Sequence, residues 1–310
     1  MSYQHVSVLH DEVIVAMAVR PDGHYVDATY GRGGHASSIL AGLDARGRLV
    51  VMDRDPQAIA DACKKMGNDA RVTIVHDDYT ALPQLIAASA MDRFDGVLLD
   101  LGVSSPQLDD AGRGFSFQQS GPLDMRMDPA RGQSAAEWLA LADDTEIARV
   151  LWEYGEERHS RRIARRIVER RKTAALKTTT ELAQLIADAV PRTKHNRHPA
   201  TRSFQAIRIH INQELTQLSR LLDAIFGILK IGGRLLVISF HSLEDRLVKR
   251  FLRMHSTPPK LPRGLPLPAD QINSEIRLKT LGKAIRASAA ELATNPRARS
   301  AVLRVAERAA

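Results

Sequence analysis

A chain of 310 residues, 44% hydrophobic and 26% charged, has the size and composition of a globular protein that buries its own core. Its single cysteine, Cys63, excludes an intramolecular disulfide and argues against a cysteine-based metal site. The net charge of +8 indicates a polyanionic partner, either nucleic acid or an anionic membrane, unless it serves solubility alone.

The amino-terminal residues lack the basic and apolar regions of a secretory signal, so a cytoplasmic protein is expected. The most apolar long run, residues 221–240, contains Asp223, Lys230, Arg234 and a pair of glycines. This run therefore predicts a helix, a turn and a buried strand, and not a membrane span.

The first hundred residues alternate between strand and helix patterns. Apolar strands are predicted at residues 24–29, 48–53, 71–78 and 94–102, with helices at residues 33–43, 55–66 and 81–90 between them. Continuous Val, Leu and Ile strands joined by helices predict a parallel sheet that is covered on both faces.

The pattern changes after Asp100. Residues 104–135 are rich in Gly, Pro, Ser and Asp without a sustained period, and an irregular stretch of that length is usually functional or disordered. From about residue 136 to 220 only helices are predicted, the last being one long helix over residues 204–229. A strand follows from Gly232, and residues 300–308 predict an edge strand.

The simplest organisation is an α/β domain interrupted by a helical insertion. The α/β domain would comprise residues 1–105 and 208–310, and residues 106–207 would form a loop-rich and helical substrate-recognition domain.

A glycine cluster, Gly31-Arg32-Gly33-Gly34, follows the first predicted strand. It lacks the third glycine of the dinucleotide fingerprint and the Gly-Lys-Ser/Thr of a phosphate-binding Walker loop. What is left is a strand, a tight turn and a helix, with Asp53 about twenty residues further on. A carboxylate there can accept hydrogen bonds from both hydroxyls of a ribose.

Polar residues also end the third and fourth predicted strands: Asp77, Asp78 and Tyr79 after the third, and Asp100 after the fourth. Ligands of open parallel sheets bind at the carboxyl ends of the strands, and Tyr79 could stack on an adenine. The pattern favours an adenosine ligand without a diphosphate, of which S-adenosylmethionine is the commonest. Taken singly, these residues could equally form a structural turn, cap a helix or pack in the core.

Long motifs of unusual composition run through the chain from one end to the other. They are His5–Val13, Gly31–His35, Asp53–Ile59, Asp100–Phe117, Gly121–Pro129, Tyr154–Arg158, His198–Ile209, Ile238–Phe251 and Asn295–Arg304. With these motifs the chain resembles the RsmH (MraW) family of bacterial 16S rRNA cytosine-N4 methyltransferases.

The resemblance implies a Rossmann-like methyltransferase domain with an inserted helical domain, and S-adenosylmethionine as the cofactor. It implies N4 of one decoding-centre cytidine of 16S rRNA, within the small ribosomal subunit, as the acceptor. The cofactor contacts that carry over are Gly33, Gly34, His35, Asp53, Tyr79, Asp100 and Gln107.

Asp100 is also the candidate for a direct chemical role, because an acceptor facing the cytosine amine would help its proton leave. The rival role, holding the cofactor, is the one the resemblance favours. Many amino-methyltransferases carry an Asp/Asn-Pro-Pro-aromatic loop here, whereas this chain reads "DLGVSS". Phe115 and Phe117 could stack on the target base or pack in the core, and His241 could line the same site or be structural.

A run of basic residues on one predicted helix indicates an RNA-binding face. The arginines proposed to contact RNA are Arg161, Arg162, Arg165, Arg166, Arg170 and Arg171. A solvated helical face is the alternative, and a membrane-binding helix is disfavoured because the run lacks Trp, Phe and Leu. His195 and His198 have no further ligands in the sequence pattern, so no metal is expected.

Three other functions stay open at this stage. One is a methyltransferase of the same fold that acts on DNA or on protein amines. The second is an RNA-binding assembly factor that has lost turnover, against which the intact glycine loop, Asp53 and Asp100 argue. The third is a nicotinamide-dependent oxidoreductase, which the missing third glycine disfavours.

Overall fold

The computed structural model describes residues 7–88, 92–191, 198–258 and 276–310. The chain divides into two compact units. The sheet unit comprises residues 1–102 and 215–310, and the helical unit comprises residues 103–214.

The strands, in chain order, are β1 (His24–Asp27), β2 (Arg48–Asp53), β3 (Val72–His76), β4 (Phe94–Asp100), β5 (Leu229–Ser239), β6 (Leu278–Thr280), β7 (Ile285–Arg286) and β8 (Val302–Arg308). The helices are α1 (His10–Met17), α2 (Gly34–Ala41), α3 (Pro56–Met66), α4 (Leu82–Ala88), α5 (Ser105–Asp109), α6 (Ala135–Leu141), α7 (Asp144–Gly155), α8 (Ser160–Arg171), α9 (Thr179–Ala189), α10 (Ala200–Asn212), α11 (Glu214–Ile228), α12 (Ser242–Ser256) and α13 (Ala289–Thr294). Short 3-10 helices lie at Tyr79–Ala81, Ala111–Arg113 and Pro296–Ser300.

All strands of the sheet unit belong to one sheet with the order β3-β2-β1-β4-β5-β8-β6, and β7 also pairs with β8. Strands β1 to β5 are parallel to one another, whereas β8 is antiparallel to β5, β6 and β7. The order of the first five strands is that of the Rossmann fold, in which ligands bind beyond the carboxyl ends of the strands.

The sheet is covered on both faces, as the apolar strands predicted. Val50 and Met52 of β2 lie in one buried cluster with residues of α11 and α12, while Leu49 and Val51 lie in another with residues of α1, α2 and α3. Alternate residues of a strand point to opposite faces, so an apolar run such as that of β2 is needed to fill both layers.

The predicted edge strand at residues 300–308 is wrong in its position. β8 covers most of this segment, but it lies between β5 and β6 and is paired on both sides. Its side chains are mostly buried, including Leu303 and Ala306, as expected for an interior strand.

The predicted single helix over residues 204–229 is also wrong, because it is interrupted at Gln213. This residue has a left-handed φ of 52° and separates α10 from α11. The neighbouring Asn212 is buried and bonds to another segment: its Oδ1 accepts from the Met127 amide at 2.8 Å, and its Nδ2 donates to the Met125 carbonyl at 2.7 Å. Tertiary contacts thus fix the break.

In the helical unit, α6 to α10 pack around one apolar cluster that also includes part of the irregular stretch. Leu123 and Met125 of that stretch are fully buried, although Met125 has a left-handed φ of 63°. Arg113 supports the same turn, since its Nη2 donates to the Met127 carbonyl at 2.6 Å. Residues 104–135 therefore include a packed loop and not only an exposed one.

No helix in the described ranges of the chain has the length and apolar character that crossing a membrane requires.

Candidate functional site

The glycine loop joins β1 to α2 at the carboxyl edge of the sheet. Gly31 and Gly33 have left-handed φ values of 57° and 76°, which glycine adopts without strain. A Cβ at Gly33 would lie 2.5 Å from the Tyr30 ring, and one at Gly34 would overlap Ser7 Oγ. The loop thus needs glycine for its own backbone and packing, in addition to any ligand it binds.

Asp53, at the end of β2, holds this loop through backbone hydrogen bonds. Its Oδ2 accepts from the Gly31 amide at 2.8 Å and its Oδ1 from the Asp55 amide at 2.9 Å. The alternative that Asp53 caps the next helix does not apply, because Asp55 is the N-cap of α3 and accepts from the Gln57 amide. Burial raises the pKa of Asp53 above its usual range.

Asp27, at the end of β1, is a buried carboxylate that the sequence reasoning missed. Its Oδ1 accepts from the Thr29 amide at 3.2 Å. Burial raises the pKa of Asp27 to about 7. Hydrogen bonds from the Thr29 and Ala36 backbone oppose this rise, and the nearby charge of Asp53 adds to it. The strand-end rule that selected Asp53 and Asp100 applies equally to Asp27 and could have found it.

Asp100 ends β4, and its amide donates to Thr29 Oγ1 at 2.6 Å. Its Oδ1 is buried and has no hydrogen-bond partner among the described residues, although 25% of the side chain is exposed. Burial, followed by the charges of Asp27 and Glu244, raises its pKa well above the usual range.

His35 lies on the first turn of α2 and is buried. Its Nε2 is 3.0 Å from the Val8 carbonyl oxygen, and its Nδ1 is 3.9 Å from Asp100 Oδ2. The ring of His10 stacks on it with a centroid distance of 5.9 Å. Of the predicted cofactor contacts, His35 and Asp100 are therefore brought close together.

The third strand end is organised around Asp78. Its side chain caps the 3-10 helix by accepting from the Thr80 amide, and Gln217 Nε2 donates to it at 3.1 Å. Tyr79 is buried in the apolar cluster that contains Met52 and Leu82. Tyr79 therefore packs in the core, which is one of the two roles considered for it; the other is stacking on an adenine.

Three carboxylates thus end β1, β2 and β4 beside the glycine loop, and burial raises the pKa of each. A positively charged ligand would stabilise their ionised forms, because an opposite charge nearby lowers the pKa of a carboxyl group. The sheet edge is therefore suited to a ligand that combines hydroxyl donors with a cation.

Gln107 belongs to the helical unit, where its side chain completes the capping box of α5 by accepting from the Ser104 amide at 2.9 Å. Phe115 and Phe117 pack with the apolar cluster of that unit, and the Phe117 ring lies 4.8 Å from that of Phe204. The ring of His198, also in this unit, lies tilted against that of Phe117 with a centroid distance of 4.7 Å, and His195 lies outside the described residues.

His241 caps the start of α12 in the sheet unit. Its Nδ1 accepts from the Glu244 amide at 3.4 Å, and its buried Nε2 lies 3.1 Å from Glu244 Oε1 without the geometry of a hydrogen bond. The structural role considered for His241 is therefore present.

The basic helix of the helical unit is α8. Its Ile163 and Ile167 are buried, and Arg161, Arg162, Arg165 and Arg166 are exposed. Arg171 differs, because its Nη1 donates to the Leu139 and Ala142 carbonyls at 2.7 and 2.6 Å and so caps the end of α6. Arg170 Nη1 donates to the Ala174 carbonyl at 2.8 Å.

Comparison with known proteins agrees with the fold. The model of the MraW methylase family matches residues 2–309. The "Ribosomal RNA small subunit methyltransferase H" of Thioalkalivibrio sulfidiphilus is 58% identical over 307 residues, 99% of this chain and 98% of the relative. The protein of the same name from Xanthomonas axonopodis pv. citri is 58% identical over 304 residues, 98% of this chain and 87% of the relative.

An rRNA methylase structure from Streptococcus thermophilus is similar with a TM-score of 0.40 and 10% identity, and the similarity covers 98% of each chain. The strand order and the family match together confirm the predicted fold class, a Rossmann-like S-adenosylmethionine-dependent methyltransferase domain with a helical insertion. The chain belongs to the MraW methylase family.

Proposed function

We propose that this protein transfers the methyl group of S-adenosylmethionine to N4 of one decoding-centre cytidine of 16S rRNA in the small ribosomal subunit. The observation that carries the proposal is the set of three strand-end carboxylates with raised pKa values, Asp27, Asp53 and Asp100, around the glycine loop of a methylase-family sheet. Both relatives are named as small subunit rRNA methyltransferases, which supports rRNA as the substrate.

The residues present fit S-adenosylmethionine. The buried Oδ1 of Asp100 offers an acceptor that no described residue satisfies, and the raised pKa values suit a cationic ligand. Asp53 would accept from the ribose hydroxyls, and Gly33, Gly34 and His35 would hold the methionine part. Tyr79 would contact the adenine, and Gln107 and Asp100 would complete the cofactor contacts.

The cofactor supplies an activated methyl group on a sulfonium, so the work of the protein is to position the acceptor and to handle charge. The lone pair of the cytosine amine is conjugated into the ring, which makes it a weak nucleophile. A carboxylate that accepts hydrogen bonds from this amine favours the reactive geometry and then takes the proton. Asp100 is assigned this role in addition to its cofactor contact.

The helical unit would recognise the RNA. A base within folded rRNA has to be splayed out to reach the methyl group, and exposed arginines can hold the backbone while this happens. The proposed contacts are on α8, where Arg161, Arg162, Arg165 and Arg166 are exposed. Arg170 and Arg171 take part less directly, since both already bond to carbonyl oxygens.

The test is methylation of small subunits that lack the modification, with the product nucleoside identified by mass spectrometry. The expected product is N4-methylcytidine from rRNA. Methylated DNA or protein amines in the same assay, with unmodified rRNA, would contradict the substrate assignment. Calorimetry with S-adenosylmethionine and with NAD checks the cofactor separately, and binding of NAD alone would contradict the assignment.

The RNA face has its own test. Reversing the charges of Arg161, Arg165 and Arg166 should weaken binding to the subunit while leaving the affinity for S-adenosylmethionine unchanged. An affinity that equals that of the wild type across a salt series would mean that the face is merely solvated.

A further inference from the structure

Most of the excess positive charge lies outside the helical unit. Residues 215–310 contain 17 Lys and Arg against 7 Asp and Glu, a net charge of +10, whereas residues 1–102 contain 9 against 14, a net charge of −5. The helical unit, residues 103–214, contains 18 against 15, a net charge of only +3. The strongest polyanion attraction is therefore expected from the carboxyl-terminal part of the sheet unit.

One helix face concentrates this charge. Arg246, Lys249, Arg250 and Arg253 follow one another on α12 at spacings of three, one and three residues, so they share one side of the helix. All four are exposed. With a rise of 1.5 Å per residue, the stripe is about 10 Å long. We refer to these four residues as the α12 stripe.

The two acidic residues at the start of α12 are bonded to groups outside the stripe. Asp245 is engaged by Arg304, whose Nε and Nη2 donate to it at 2.7 and 3.1 Å. Glu244 is buried and its Oε2 accepts from the Phe240 amide at 2.8 Å. Within the ranges that the structure describes, Lys249, Arg250 and Arg253 have no ion-pair partner. The side of the helix that carries these three residues is single-signed and is suited to phosphate groups.

The position of α12 connects the stripe with the active site. Ile238 of β5 is the register partner of Asp100 of β4, so both strands end at the same edge of the sheet. The helix begins three residues after β5, at Ser242, and runs away from that edge. The stripe therefore starts about one helical turn from the edge that holds Asp100.

We propose that the α12 stripe binds the ribose-phosphate backbone of the RNA next to the target cytidine, which makes the sheet unit a second RNA-binding surface. This inference rests on the proposed function for the identity of the RNA. An anionic membrane is disfavoured because the apolar side of α12, with Val248, Phe251 and Leu252, is buried in the core of the sheet unit. Of the large apolar side chains of α12 only Met254 is exposed, and a single methionine does not form a face that inserts into a membrane.

The test is the triple variant K249Q/R250Q/R253Q, with binding to small subunits that lack the modification measured across a salt series. We expect affinity at least about tenfold weaker near 0.1 M salt, and a salt slope lower by about 2, since each single-strand phosphate contact contributes about 0.7. Affinity for S-adenosylmethionine and the thermal midpoint should not change, because these side chains are exposed.

Two control variants make the result specific. K249R/R250K/R253K keeps the charges and should keep the affinity. R46Q/R48Q/K64Q removes three exposed cations from residues 1–102 of the same unit and should change subunit affinity less than twofold.

Unchanged affinity and slope in the glutamine variant would overturn the inference. Equal weakening by the R46Q/R48Q/K64Q control would also overturn it, because net charge alone would then explain the effect. So would binding to vesicles of phosphatidylserine and phosphatidylcholine that depends on the stripe, with subunit binding unaffected. Failure of the proposed function is distinguishable: wild-type protein would then leave the cytidine unmethylated, whatever the variant does to binding.

Discussion

His35 Nδ1 lies 3.9 Å from Asp100 Oδ2, while the opposite ring nitrogen, Nε2, lies 3.0 Å from the Val8 carbonyl oxygen. A carbonyl can only accept, so Nε2 carries a proton and a neutral His35 presents an unprotonated Nδ1 to Asp100. The contact between His35 Nδ1 and Asp100 Oδ2 becomes attractive when either of these two atoms carries a proton. Burial raises the pKa of Asp100, which favours that proton being bound before a cationic ligand arrives.

His35→Gln and His35→Ala should separate the two contacts of this ring. The glutamine amide can still donate to the Val8 carbonyl, so stability should be nearly kept while affinity for S-adenosylmethionine falls. The alanine variant leaves that buried carbonyl unsatisfied and should lose a further 1–3 kcal/mol, roughly, in the free energy of unfolding. Denaturant unfolding and calorimetry measure the two effects. Equal stability of both variants would mean that the Val8 contact contributes nothing.

Asp53→Asn and Asp53→Ala should differ in the same way at the end of β2. Either substitution removes the charged acceptor for the ribose and should weaken the binding of S-adenosylmethionine strongly. Asparagine keeps one oxygen that can accept from the Gly31 or the Asp55 amide, whereas alanine removes both acceptors and should cost a further 1–3 kcal/mol, roughly. Wild-type cofactor affinity in both variants would refute the ribose assignment.

The pKa of Asp27, raised by burial to about 7, predicts a pH dependence of stability. Between the unfolded pKa near 4 and the folded value, the folded protein binds the extra proton, so this residue makes stability fall as pH rises. The full effect is about 4 kcal/mol, from roughly three pH units at 1.36 kcal/mol each. Urea unfolding from pH 4.5 to 7.5 should show a steeper decline for wild type than for Asp27→Asn. Parallel curves would contradict the buried, protonated state.

Gly33→Ala should lower the free energy of unfolding by more than the strain of a left-handed alanine alone would cause. Gly132→Ala is the matched control, because Gly132 has a similar φ of 68° and a Cβ there would meet nothing within 4 Å. The control should cost about 1–2 kcal/mol. At Gly33 the Tyr30 ring stands 2.5 Å from the added Cβ, so a clearly larger loss is expected in thermal unfolding. Equal losses would show that the ring moves aside freely.

The sheet could be predicted from the sequence because its signals are local. The run of residues 48–53 coincides with β2, and polar residues mark where β2 and β4 end. The same rule applies to Asp27, which ends β1. The residues of the candidate site that end strands could be predicted from the sequence. The tautomer of His35 could not, because it depends on a contact with the Val8 carbonyl, which is distant in sequence.

The two errors have non-local causes. No glycine or proline marks the break between α10 and α11, and the apolar period continues across Gln213; contacts of Asn212 with Met125 and Met127 fix the interruption. Residues 300–308 have the pattern of an ordinary strand. Their interior position depends on β6 and β7, which are only three and two residues long and give little signal of their own.

The placement of β8 has a consequence for synthesis of the chain. The segment that pairs with β5 is made more than sixty residues after β5, and the helical unit is made before either. During translation the helical unit can bury its own core as soon as it emerges, whereas β5 has an unpaired edge until residues 302–308 have followed. We therefore expect the order of folding to be inverted relative to sequence order: the inserted unit becomes native first, and the sheet that carries the candidate site is completed last.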